Sequence, residues 1–109
     1  MRTLVLPLAL LVLAGGAFEV QARELSKRER FACSWGSGIA AGAQQSKLSG
    51  VSLYGARKQL QVRKFPQPWM RMSAMGITEQ TYNSQSRLKP AAVKQTYYEQ
   101  CTQHDFARR

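Results

Sequence analysis

The chain has 109 residues, 44% of them apolar, with 16 Lys+Arg against 6 Asp+Glu and a formal net charge of +10. That length holds one domain with a limited core. A single histidine and two cysteines are a thin inventory for acid–base, nucleophilic or metal chemistry, so composition argues against an enzyme.

The N-terminus is read first. Arg2 is a short positive segment, Leu4 to Ala14 is an apolar run broken only by Pro7, and Val20-Gln21-Ala22 places short residues where a signal peptidase reads. This pattern predicts a secretory signal peptide over 1–22 and one domain over 23–109, periplasmic or secreted. The apolar run is short for a bilayer span, and no transmembrane anchor is expected in the mature chain. Outside the reducing cytosol, Cys33 and Cys101 read as one structural disulfide, the sole intramolecular pairing two cysteines allow. There is no C-x-x-C spacing, and His104 is the one histidine. No redox motif, metal site or cofactor is expected.

Arg23 to Arg30 is dense in charge and reads either as a loose arm or as the first turns of a helix. Leu25, Ala32, Trp35, Ile39 and Ala43 fall on one stripe of a first helix. Gly36 to Ala43 is almost all small. Its three glycines weaken an isolated helix by about 1 kcal/mol each relative to alanine, so close approach by another helix is the expected compensation. Gly50 is expected to end this helix in the left-handed region. Ser52 is expected to cap a second helix that buries Leu53, Ala56 and Leu60, with Val62 on the opposite side. Phe65-Pro66-Gln67-Pro68 interrupts the pattern, and Pro68 suits the first position of a third helix running to about Tyr82.

That third helix is apolar on two sides: Trp69, Met72 and Gly76 on one, Met70, Ala74 and Ile77 on the other. It reads as central, or alternatively as exposing one side to a partner. Asn83 to Lys89 reads as a loop. Pro90 opens a fourth helix to about His104, with Val93, Tyr97 and Cys101 on an i, i+4, i+8 ladder. No strand alternation stands out. The predicted fold class is all-α: a small three- or four-helix bundle with one disulfide joining the first and last helices.

His104 reads as a helix-end histidine favourable to the helix dipole. Glu24, Glu29, Glu79, Glu99 and Asp105 form no paired-carboxylate motif, and no catalytic residue is assigned. Glu79 reads as exposed, or alternatively as forming a buried pair with Arg57 or Arg71. Two basic groups are the electrostatic candidates: Lys27, Arg28 and Arg30, then Arg57, Lys58, Arg63, Lys64 and Arg71. Trp35, Trp69, Met70 and Met72 are the candidate apolar anchors. Basic and aromatic residues interleave at Arg63-Lys64-Phe65 and Trp69-Met70-Arg71, as in single-strand binders. No nucleic-acid-binding motif accompanies them, so an acidic protein or an anionic envelope polymer is the expected partner. The expected function is non-enzymatic binding or structural support in the envelope. The alternative is an immunity protein or stress chaperone with a specific protein partner.

Several features together resemble a set of small uncharacterised exported proteins of Gram-negative proteobacteria framed by two cysteines. They are Cys33-Ser-Trp-Gly36, the small-residue helix through Ala43, Gln45, Lys47, Gly50-Val-Ser52, Ile77 to Tyr82, Ser86 to Pro90, and Tyr97-Tyr98-Glu99-Gln100-Cys101. The resemblance runs from Cys33 to Cys101. It implies an all-helical, disulfide-clamped exported domain and no activity. Pro66, Pro68 and the basic N-terminal segment depart from it. In size, export and disulfide the chain also resembles, more distantly, the periplasmic immunity proteins that neutralise type VI amidase effectors, without their Phe-Pro-Cys ending.

Overall fold

In a computed structural model that describes residues 25–107, Ser26 starts the first helix. The signal-peptide reading of 1–22 lies outside the described residues. Ser26 Oγ accepts from the Glu29 N–H at 3.1 Å, and Glu29 Oε1 accepts from the Ser26 N–H at 3.0 Å. This reciprocal cap satisfies two donors that a helix start leaves open. It places residues 27–30 of the charged segment in helix α1, Lys27–Leu48. Glu29 also sets a negative charge beside Lys27 and Arg28, which sit against the positive end of the helix dipole.

Gly50, at φ +90°, ends α1 as its sequence position predicts. The Gly50 N–H donates to Lys47 O at 3.1 Å and the Val51 N–H to Ser46 O at 2.9 Å. Two residues later Ser52 Oγ accepts from the Gly55 N–H at 3.0 Å and caps α2, Leu53–Val62. Pro68 opens α3, Pro68–Asn83, and Pro90 opens α4, Pro90–Ala107, which runs three residues past His104. Among the described residues there is no strand.

Helix α1 is the central member. Its Cys33–Gly36–Ala40–Gln44 face meets α4, while Ile39 and Ala43 turn toward α2 and α3. Ile39, Leu60 and Ala74 form the buried apolar centre, with Trp35, Phe65, Met75 and Ile77 packed on it. Cys33 and Cys101 are joined, with Cα atoms 5.6 Å apart, and tie the start of α1 to the end of α4. Close approach at a glycine occurs at Gly36: a Cβ there would lie 2.9 Å from both Cε1 and the hydroxyl oxygen of Tyr97. Gly38 and Gly42 meet nothing within 4 Å. The expectation of tight packing along the whole small-residue run is therefore corrected: two of its three glycines face a groove.

The central reading of α3 is corrected too. Met70, Ala74 and Thr78 are buried at i, i+4, i+8, whereas Met72 is 79% exposed. Only one side of α3 is covered, because α1 and α2 both pack on that side.

Tyr97 is half-buried over Gly36, and burial, then the nearby Asp105 carboxylate, raises its hydroxyl above the usual value of 10.0. A raised tyrosine holds its proton in the fold at a pH where the unfolded chain has lost it. Its contribution to stability is complete below pH 10 and is lost as pH rises through the folded value. Stability measured by denaturant unfolding is expected to fall more steeply above pH 10 in the native protein than in Tyr97→Phe. Parallel pH profiles would remove Tyr97 as the cause.

Candidate functional site

The corner between α2 and α3 gathers the aromatic and cationic side chains. Helix α2 stops at Val62 because Arg63 turns extended, at φ −72° and ψ 140°. Pro66 and Pro68 keep the next residues out of the helical region, so the linker crosses the end of the bundle and Phe65 folds back onto it. Trp35 meets Phe65 edge-on, with ring centroids 6.2 Å apart, and Trp69 likewise at 5.4 Å. The guanidinium carbons of Arg63 and Arg71 lie 5.1 and 5.5 Å from the centre of the Phe65 ring. Such placement is favourable because the ring face carries negative charge density. Arg71 Nη2 also donates to the Arg63 backbone O at 2.7 Å, which holds the Arg71 guanidinium against the end of α2.

From this cluster an open groove of about 500 Å³ runs between α1 and α2. Trp35 and Arg63 stand among its lining residues, Gly38 and Gly42 contribute no side chains to fill it, and Gln59 lines the α2 side. A second cleft, about 660 Å³, lies where α4 meets α1 and the end of α3. Gln44, Thr81, Tyr97, Cys101 and His104 line it.

The predicted site residues separate accordingly. Trp35, Trp69, Arg63 and Arg71 come together, with Lys64 exposed beside Arg63 and Met72 exposed one turn beyond Trp69. Arg57 pairs with Glu79 at 3.8 Å, both partly exposed, so that pair contributes little to stability. Lys58 lies 5.5 Å from the ring centre of Tyr54 on its own helix. Lys27, Arg28 and Arg30 belong to the first turn of α1, more than a turn before Trp35, and Arg30 Nη1 donates to Leu25 O at 2.9 Å. Met70 is corrected: at 5% exposure it is core and offers no anchor. It shares the covered stripe with Ala74 and Thr78, which apolar character alone did not distinguish from the Met72 side.

Phe65 is the site residue that the sequence reading passed over. The Arg63-Lys64-Phe65 triplet signalled it, yet the ring's place between two arginines needs α3 to bring Arg71 back. Near the disulfide, Asp105 is buried and its Oδ2 lies 3.5 Å from Cys33 Sγ. A disulfide sulfur carries no hydrogen, so this is a contact rather than a hydrogen bond. The two sulfurs and the Asp105 carboxylate lie within 4.8 Å of one another. Sulfurs bonded to each other are not thiolates, the form that binds metal. Among the described residues no helix is long and apolar enough to cross a membrane.

Comparison with known proteins finds no matching family model, no matching curated protein and no matching solved structure.

Proposed function

We propose that this chain is an exported, non-enzymatic binding protein that captures an acidic partner at the α2–α3 corner. The observation that carries the reading is the pair of guanidiniums gathered at Phe65, beside a half-exposed Trp69 and an exposed Lys64. A net charge of +10 supports it, because such a field speeds encounter with anions. Arg71 is hydrogen-bonded in place before any partner arrives, so less of its side-chain freedom is lost on binding. Guanidinium forks also match carboxylate, sulfate and phosphate geometry.

Retention on immobilised heparin, a soluble polyanion, tests the reading. Affinity is expected to fall linearly on a log–log plot against salt. The double change Arg63→Glu with Lys64→Glu is expected to weaken retention about tenfold or more at 0.1 M salt. Retention indifferent to both would overturn the proposal. If a single protein were instead held stoichiometrically at high salt, the immunity or chaperone reading would replace it.

A further inference from the structure

We infer that the α2–α3 corner docks on a membrane surface, with its cations on anionic lipid headgroups and its exposed apolar side chains in the interface beneath them. This rests on the acidic-capture reading and names the partner as lipid. Three apolar side chains decide it. Val62 is 83% exposed, Met72 79% and Trp69 44%, on the two helix ends that flank Arg63 and Lys64. A soluble polyanion would engage the cations and leave those three in water. A lipid interface takes both kinds of group: basic heads reach phosphate while their stems and neighbouring apolar side chains enter the acyl boundary. Tryptophan has a particular preference for the headgroup level.

Charge is one-sided here. From Leu53 to Asn83 the sole acid is Glu79, against Arg57, Lys58, Arg63, Lys64 and Arg71. Glu79 lies 3.8 Å from Arg57 and ten residues along α3 from Trp69. The corner is also stiff. Pro66 and Pro68 restrict the linker, Arg71 donates to Arg63 O, and Trp69 is seated edge-on against Trp35. A surface shaped in advance loses little conformational freedom on docking. Attachment is peripheral, since no described helix is long and apolar enough to span a bilayer.

The test uses the oxidised protein recovered from the envelope of an expressing cell, with its N-terminus defined by mass. Sedimentation is measured with phosphatidylglycerol vesicles and with phosphatidylcholine vesicles. Binding is expected to the first and about tenfold or more weaker to the second. Arg63→Glu with Lys64→Glu is expected to reduce binding about tenfold or more. Val62→Ser with Met72→Ser, which changes no charge, is expected to do so about tenfold. Arg87→Glu with Lys94→Glu makes the same charge change beyond the far end of α3 and at the start of α4, and is expected to stay within about threefold.

The inference is overturned if phosphatidylglycerol vesicles are not bound. It is overturned equally if the Arg87/Lys94 pair matters as much as the Arg63/Lys64 pair, or if the serine pair has no effect. Retention on heparin without vesicle binding removes the lipid partner and leaves acidic capture standing. Loss of both removes both.

Discussion

Replacing Cys33 and Cys101 by alanine is expected to destabilise the protein by about 4 kcal/mol. The bridge joins positions 68 apart in sequence. Freeing a loop of that length returns chain entropy to the unfolded state worth about 4 kcal/mol. Small domains have a net stability of only about 5–15 kcal/mol, so the variant sits close to its unfolding threshold. Cys33 is fully buried, and its truncation adds a small cavity. Reducing the native protein with a phosphine isolates the loop effect from that cavity. Denaturant unfolding checks both, and a reduced protein that unfolds at the native midpoint would dismiss the bridge as a stabiliser. The bridge also spans the contact between α1 and α4. Gly36 lets the Tyr97 ring of α4 come near.

The second large effect is expected at Gln44 and Lys47. Gln44 is 1% exposed, and its Nε2 donates to Ser86 O at 3.1 Å and Leu88 O at 2.8 Å. Lys47 Nζ donates to Thr81 O at 3.1 Å, Ser84 O at 2.9 Å and Ser86 O at 3.0 Å. Together they fasten the α3–α4 connection to α1, and Lys47 also places a cation at the negative end of α3. Gln44→Leu keeps the volume but takes the Gln44 donor from Leu88 O and one of two side-chain donors from Ser86 O, at a cost of about 2 kcal/mol. Lys47→Met is expected to cost about 2 kcal/mol as well, no more because the ammonium is partly in water. Both donors share Ser86 O, so each single variant leaves that carbonyl one donor and the double variant leaves it neither; the double should lose more than the sum of the two. Unfolding midpoints for the two single variants and the double variant decide this. Values additive to within about 0.3 kcal/mol would mean that the shared acceptor couples nothing.

Helix boundaries were legible where local chemistry dictates them. Gly50 supplies the positive φ, Ser52 the cap, and Pro68 and Pro90 the first positions of their helices. The start of α1 was equally written in Ser26 and Glu29, but the surrounding charge of 23–30 left arm and helix both open. The cysteine pairing followed from there being two. The covered side of α3 was not legible. A helix apolar on opposite sides carries no preference until its neighbours choose one, and here they choose Met70, Ala74 and Thr78. Gln44 and Lys47 were hidden for another reason. Their acceptors are backbone carbonyls some forty residues on, and a carbonyl has no signature in sequence. The two basic groups were read from charge alone. Which arginines meet Phe65 depends on α3 returning beside the end of α2, a tertiary fact.

The long separation between Cys33 and Cys101 has a consequence for how the chain is made. At ribosomal rates of about 5–20 residues per second, the Cys33 thiol waits roughly 3–14 seconds before its partner is even polymerised. During that interval the small-residue face of α1 also lacks α4. Two nascent chains meeting in an oxidising space would find each other's Cys33 before their own Cys101. A stop codon between Cys33 and Cys101 would leave Cys33 no partner in its own chain, so that oxidation would give a linked pair of unfinished chains instead of a monomer.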